Sequence, residues 1–156
     1  MKFLIGGLLS LFAAAMAAGL WFLAVADLPG WIGAVRPVLN STLVGGLGGA
    51  AYCLRGVYLN AAVYDRFDSQ WYIWYALRPV TSLIFGGISF VVLKAGLLLL
   101  SAQPEDGSSS YGFMAVAFIA GLNVDRFVQR LEDAAKAAFG IEKSRTSTRD
   151  EAVPKS

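Results

Sequence analysis

The chain has 156 residues, of which 56% are hydrophobic and 15% are charged, and its formal net charge is +2. Soluble domains carry about 25% charged residues, so this composition excludes an ordinary water-soluble core and favours one domain in a membrane. The absence of histidine and the single cysteine exclude an intrachain disulfide and most metal sites, and the small net charge gives no support for nucleic-acid binding. We therefore expect no metal, no other cofactor and no nucleic-acid partner.

The first apolar segment, residues 3–26, follows Lys2 and is long enough to cross a bilayer, which takes about 20 apolar residues. A secretory signal peptide is the alternative, because a basic residue precedes the segment and small residues near its end resemble a cleavage site. The apolar stretch exceeds the roughly 7–15 residues of a signal-peptide core, so we favour an uncleaved span. Residues 27–40 contain two prolines and Gly30, a mixture of helix breakers that predicts a short connection on the membrane surface.

The second predicted span, residues 41–63, is interrupted by Arg55 and Asn60 and has a glycine-rich opening. Gly45 and Gly49 are four residues apart, a spacing that lets two helix backbones approach closely in lipid. This approach joins either two helices of one chain or two copies of the chain. The glycines do not form a phosphate-binding loop, because the preceding strand and the following Lys-Ser or Lys-Thr are missing.

Polar and aromatic residues come together between the second and third predicted spans. Five side chains fall on one helix face, at i, i+4, i+7, i+8 and i+11: Phe67, Trp71, Trp74, Tyr75 and Arg78. Tryptophan and tyrosine favour the headgroup level of a bilayer, so we expect an interfacial helical elbow anchored by the last four of these residues. Pro79 would then begin the next span, since proline costs little in a first turn.

The third predicted span, residues 80–100, carries Gly86 and Gly87 near its start. This glycine pair is a second place where a neighbouring backbone can approach. The polar residues 101–110 separate the third span from a fourth span at residues 111–124.

The fourth span is predicted to continue as an amphipathic helix to residue 140. Apolar residues recur there at intervals of three and four and are opposed by charged residues. Phe127, Val128 and Leu131 on the apolar face are a candidate docking surface for a cytoplasmic protein. Residues 141–156 are polar and charged, and we expect a disordered cytoplasmic tail.

Lysine and arginine near span ends set the orientation, because positive charge in short loops stays in the cytoplasm. Four spans put Lys2, Arg66, Arg78 and the basic tail on one side and leave Arg36 on the other. We therefore predict an all-α protein with four spans and both termini in the cytoplasm.

Two charged residues fall inside predicted spans at similar depth. Arg55 follows Ser41 by fourteen residues and Asp125 follows Tyr111 by fourteen, about 21 Å from the outer membrane face. A charge at the bilayer centre costs roughly 2.5–3.5 kcal/mol on insertion scales unless it is paired or hydrated. We predict an Arg55–Asp125 ion pair. The alternatives are that Arg55 reaches the headgroups by snorkelling or serves the passage of an ion or substrate.

Two elements of the sequence stand out together: Trp74-Tyr75-Ala76-Leu77-Arg78-Pro79 before a glycine-containing span, and Leu122-Asn123-Val124-Asp125 leading into the amphipathic helix. They resemble small bacterial inner-membrane proteins of uncharacterised role that carry a WY-x-x-RP element. The likeness covers residues 50–140 and implies a four-helix fold in the bacterial inner membrane. It implies no activity and no residue roles.

No catalytic set is present in the sequence, so we do not expect an enzyme. A lipid-interacting enzyme at the inner membrane surface is a third and weaker hypothesis, because it would need such a set. Four short helices enclose little space. The first hypothesis is therefore a homo-oligomer, surrounded by membrane lipids, that forms a pore or channel, or a membrane assembly, with Arg55 facing a wetted interior. The alternative is a non-conducting anchor or accessory subunit that docks a partner through residues 123–140.

Overall fold

A computed structural model describes residues 2–27, 29–63, 71–99 and 108–140, and every regular element in these ranges is helical. The α-helices are α1 Lys2–Val25, α2 Gly30–Tyr58, α3 Trp71–Leu99, α4 Ser108–Leu122 and α5 Val124–Phe139, and a π-helical turn, Leu59–Val63, continues α2. This confirms the all-α class. The chain divides into two compact units, Met1–Leu122 and Asn123–Ser156. The predicted tail and Phe67 lie outside the described residues.

Two helices are long and apolar enough to cross a membrane, through the segments Leu4–Val25 and Ile73–Gly96. A third span results if Ser110–Leu122 and Val124–Ala137, which are separated at Asn123, count as one. These lengths indicate association with a membrane. The second predicted span lies in α2 and in the π-helical turn that continues it, and the many glycines of α2 help to make it less apolar than α1 and α3.

The unit that holds α1 to α4, the helical bundle, exposes large apolar side chains on its surface and buries several small polar ones beside its apolar core. Along one face of α3 the exposed side chains are all apolar: Ile73, Leu77, Val80, Ile84, Ile88 and Val91. Ser41, Ser82 and Ser89 are completely buried. Soluble monomers rarely expose continuous apolar patches larger than a few hundred Å², so this face suits contact with lipid.

Consecutive helices of the bundle run antiparallel, because residue numbers fall along one helix as they rise along its neighbour. The contacts between α1 and α2 are Gly6–Val57 and Gly19–Leu43, and those between α2 and α3 are Gly45–Gly86 and Gly56–Tyr75. Between α3 and α4 they are Ser82–Gly121 and Phe90–Phe113. One end of the bundle therefore gathers the start of α1, the end of α2 and the start of α3.

Three helix backbones meet where glycines remove the side chains between them. A Cβ on Gly86 would lie 2.9 Å from the Cα of Gly45, and a Cβ on Gly121 would lie 2.7 Å from the carbonyl carbon of Gly45. Real Cβ atoms do not approach so closely, so α2, α3 and α4 pack together at these positions because glycine occupies them. Gly49 faces Ser82 of α3, and a Cβ on Gly87 would lie 2.8 Å from Thr42 Oγ1. The glycine contacts are thus made within one chain.

α2 begins at Gly30, within the stretch expected to be a surface connection. Pro29 immediately precedes its first residue, and Pro37 lies inside the helix. Pro37 has no N–H to bond the carbonyl of Gly33, but Gly33 is exposed, so the disturbance falls on the surface of the bundle. Helix breakers in the sequence therefore did not break this helix.

The expected elbow is not separate from the third span, because α3 runs without interruption from Trp71 through Pro79 to Leu99. Two side-chain hydroxyls strengthen the turn beside the proline. Thr81 Oγ1 and Ser82 Oγ each lie 2.8 Å from the carbonyl oxygen of Arg78 and donate to it. Side-chain hydroxyls of this kind let membrane helices tolerate proline.

The helix predicted to continue from the fourth span is broken at Asn123, whose backbone has φ −133° and ψ 57°. Asparagine competes for backbone hydrogen bonds and favours such interruptions. The second part, α5, ends as the sequence predicts. Gly140 has φ 67° and donates its N–H to the carbonyl of Lys136 at 2.9 Å.

Candidate functional site

A polar recess of about 350 Å³ opens at the end of the bundle where α2 finishes and α3 starts. Its described lining residues are Tyr52, Arg55, Gly56, Leu59, Asn60, Trp74 and Tyr75. Both helices contribute because they run antiparallel and are close at this end. The recess therefore brings one cation, one amide and three aromatic rings together.

The π-helical turn positions the amide of the recess. Asn60 lies in this turn, directly after the α-helical part of α2, and its Nδ2 donates to the hydroxyl of Tyr75 at 3.0 Å. Gly56 leaves space for that hydroxyl, since a Cβ there would lie 3.2 Å from Tyr75 Oη. Turns of this type add a residue to the helix and occur often at functional sites. The hydrogen bond fixes the two helix ends against each other.

Arg78 lies behind the aromatic wall of the recess and is only 6% exposed. Its guanidinium carbon is 5.0 Å from the ring centroid of Tyr52 and 5.5 Å from that of Trp74. A cation within about 6 Å of an aromatic face is attracted by the ring quadrupole. The two rings are 5.8 Å apart, and Trp74 also meets Tyr75 edge-on at 5.2 Å.

Two of the predicted interfacial anchors, Trp74 and Tyr75, pack against neighbouring helices. Tyr75 is 3% exposed and packs with Leu9 of α1 and Cys53 of α2. Trp74 is half-buried beside this cluster. The described part of the predicted face, Trp74, Tyr75 and Arg78, packs against α1 and α2, and its place at the headgroup level stays a prediction. The side chain of Trp71 lies outside the described residues.

Arg55 is exposed and lies one turn before Tyr58, the last α-helical residue of α2. Its predicted partner Asp125 is in the first turn of α5, where a carboxylate favours the positive end of the helix dipole. The two residues belong to different compact units. Their ion pair stays a prediction.

An apolar groove of about 420 Å³ runs beside α1 and α3. Its described lining residues are Leu4, Ile5, Leu8, Leu9, Phe12, Tyr75, Ala76, Pro79 and Val80. Tyr75 also lines the polar recess, so one side chain is part of the wall of both cavities.

Sequence reasoning missed Tyr52 and Gly56 and did not assign a role to Asn60. These residues are spaced at i, i+4 and i+8, so they share one helix face with each other. That periodicity was available, but the partner across the recess, Tyr75, depends on how α2 and α3 pair. The described residues contain no group of three or more acidic, cysteine or histidine side chains that would hold a metal.

α5 carries the predicted docking residues Phe127, Val128 and Leu131. Its sequence places charged side chains on the opposite face, with Asp125 in the first turn and Lys136 in the last.

No protein-family model, curated protein or solved structure matches the chain.

Proposed function

We propose that the chain is a non-conducting integral membrane protein that anchors α5 at the cytoplasmic face, where its apolar side docks a partner protein. The observation that carries this proposal is the pair of compact units: an apolar helical bundle followed directly by a separate amphipathic helix. Amphipathic helices of this kind bind apolar grooves through residues spaced at three and four positions.

The charge of α5 favours a protein partner over a lipid surface. The helix has three acidic and three basic residues: Asp125, Glu132 and Asp133, and Arg126, Arg130 and Lys136. Helices that lie on anionic membranes are rich in lysine and arginine on their polar face. A polar face with equal numbers of acidic and basic residues gives no such attraction to anionic lipids. The apolar residues of α5 therefore suit packing against a partner protein better than insertion into a lipid surface.

We further propose four spans, with both termini in the cytoplasm of a bacterium. The antiparallel order of α1 to α4 supports this topology, as does the presence of Arg55 and Arg78 at the end of the bundle where α1 starts. Reporter fusions at residues 105 and 150 test it. We expect them to report opposite compartments, and the same compartment at both positions would contradict four spans.

A homo-oligomeric pore is the second candidate, supported by the exposed cation Arg55 at a recess between helices. Gly45 and Gly86, whose small size could also have joined two copies of the chain, pack within one chain. An oligomer would need another surface, such as the apolar face of α3. This requirement is why the anchor is the better-supported function.

Site-specific photocrosslinking in cells tests the anchor. A benzophenone side chain at Phe127 or Leu131 should give a discrete adduct with a second protein, and the same probe at Arg130, among the charged residues, should not. A Leu131→Glu change should remove the adduct formed from position 127. Adducts between copies of the chain alone, together with Arg55-dependent ion flux in liposomes, would favour the pore.

A further inference from the structure

The two cavities of the bundle have complementary chemistry and meet at one side chain. The polar recess and the apolar groove are both lined by Tyr75, which is almost completely buried between them. A ligand that occupies both cavities therefore has a polar head beside a long apolar portion. Volumes of about 350 and 420 Å³ are each in the usual range of small-molecule sites.

The recess suits an anionic head. Arg55 supplies the planar donor set that binds phosphate in a bidentate manner, and Asn60 carries a second N–H on the nitrogen that donates to Tyr75. Among the described lining residues there is no carboxylate to oppose an anion. Arg78, behind the rings of Tyr52 and Trp74, adds a second positive charge close to the recess.

The groove suits an acyl chain. Apart from the tyrosine ring, its described lining is aliphatic or aromatic hydrocarbon. Leu4 and Leu8 at its edge are 65% and 58% exposed, so the groove is open along the face of α1 that would meet lipid.

The level of the recess matches the level of lipid headgroups. The apolar stretch of α3 that is long enough to span begins at Ile73, next to Trp74 and Tyr75. Antiparallel packing brings Gly56 beside Tyr75, and therefore brings Arg55 to the same end of that stretch. Phosphates lie just outside the hydrocarbon, at the boundary where tryptophan and tyrosine are enriched.

We propose that the bundle binds one anionic phospholipid, with its phosphate at Arg55 and Asn60 and an acyl chain in the groove beside Ala76. Tyr75 separates the two parts and holds the recess in shape through its bond to Asn60. The proposal needs the bundle to be in a membrane, but it does not depend on any partner of α5.

Native mass spectrometry of the full chain tests this site, with equimolar phosphatidylglycerol and phosphatidylcholine added to the detergent-solubilised protein. The wild-type chain should retain phosphatidylglycerol about fivefold better than phosphatidylcholine, the size expected of one partly exposed ionic contact. Arg55→Gln should abolish this preference. Lys94→Gln, which removes an exposed cation from the other end of α3, should preserve it.

The acyl chain has its own test. Ala76→Trp fills the groove from an exposed position and should lower the retention of both lipids, whereas Ala95→Trp, exposed further along α3, should leave it unchanged. Soluble glycerol 3-phosphate should not displace the lipid. Equal binding by the wild type and Arg55→Gln overturns the proposal. The proposal is also overturned if Ala76→Trp retains the lipids fully and glycerol 3-phosphate displaces them, because the site would then recognise a free phosphate. Circular dichroism of each variant verifies that the helices are retained.

Discussion

Gly121 of α4 meets the backbone of Gly45 in α2 with no side chain between them. A Cβ on Gly121 would lie 2.7 Å from the carbonyl carbon and 2.9 Å from the Cα of Gly45, and it would collide with the carbonyl oxygen. Gly45 also faces Gly86 of α3 on another side. One residue therefore holds three helices at backbone contact, and the bundle depends on small residues where a soluble core would use large ones.

Gly121→Ala should destabilise the bundle by about 1–3 kcal/mol, because the added methyl group forces two backbones apart. Gly112→Ala on the same helix is the matched control: it is exposed and a Cβ there meets nothing within 4 Å. SDS titration of both variants, monitored as loss of helicity, gives the unfolding midpoints to be compared. Equal midpoints for the two would show that α2 and α4 are not in backbone contact.

Ser82→Ala should lower the free energy of unfolding by about 0.5–1.5 kcal/mol. The hydroxyl is completely buried, and its one proton is shared between the carbonyl oxygen of Arg78 at 2.8 Å and that of Gly121 on the neighbouring helix at 3.0 Å. Ser89→Ala removes an equally buried hydroxyl whose bond, 2.7 Å to the Gly86 carbonyl, stays within α3. The same SDS titration should therefore show the smaller loss for Ser89→Ala, and a reversed order would argue against the α3–α4 contact.

Cys53 is completely buried and is the single cysteine of the chain, so it reports on the packing of α2. Its thiol should react with N-ethylmaleimide at least about tenfold more slowly in the folded protein than in SDS, because the reaction requires opening of the bundle. The control is Asp27→Cys in a Cys53→Ala background, an exposed position beyond the end of α1. Mass spectrometry follows the labelling. Equal rates at both positions would mean that Cys53 is not enclosed.

The sequence was most informative where a property belongs to a single helix. The long apolar runs of α1 and α3, the amphipathic pattern of α5 and its end at Gly140 follow from local composition and spacing. Gly45 was recognised for its spacing to Gly49, but Gly121 was not, because its role appears only when α4 packs against α2. Isolated glycines carry no such signal in one sequence.

The candidate site was less predictable than the fold for the same reason. Asn60 and Tyr75 are fifteen residues apart and belong to different helices, and a π-helical turn that local propensity does not specify brings them together. The aromatic face of α3 was visible as a periodic pattern, but its burial depends on α1 and α2. The prolines were also misleading as signs of helix ends, because Pro37 and Pro79 both lie inside helices. An exposed carbonyl near Pro37 and side-chain hydroxyls near Pro79 reduce their effect.

The hydrogen bond from Asn60 to Tyr75 should appear as a coupling energy between the ends of α2 and α3. Tyr75→Phe and Asn60→Ala each remove one partner, and together they should cost less than the sum of the single changes, by about 0.5–1.5 kcal/mol. Asn40→Ala, twenty residues earlier on α2, supplies the matched cycle with Tyr75→Phe and should give additive effects. SDS unfolding of the five variants (three single and two double) and of the wild type measures both cycles. Because the bond also shapes the recess, Tyr75→Phe should weaken retention of phosphatidylglycerol, as Arg55→Gln does. Additive effects of Tyr75→Phe and Asn60→Ala on unfolding would mean that this bond does not join the two helix ends.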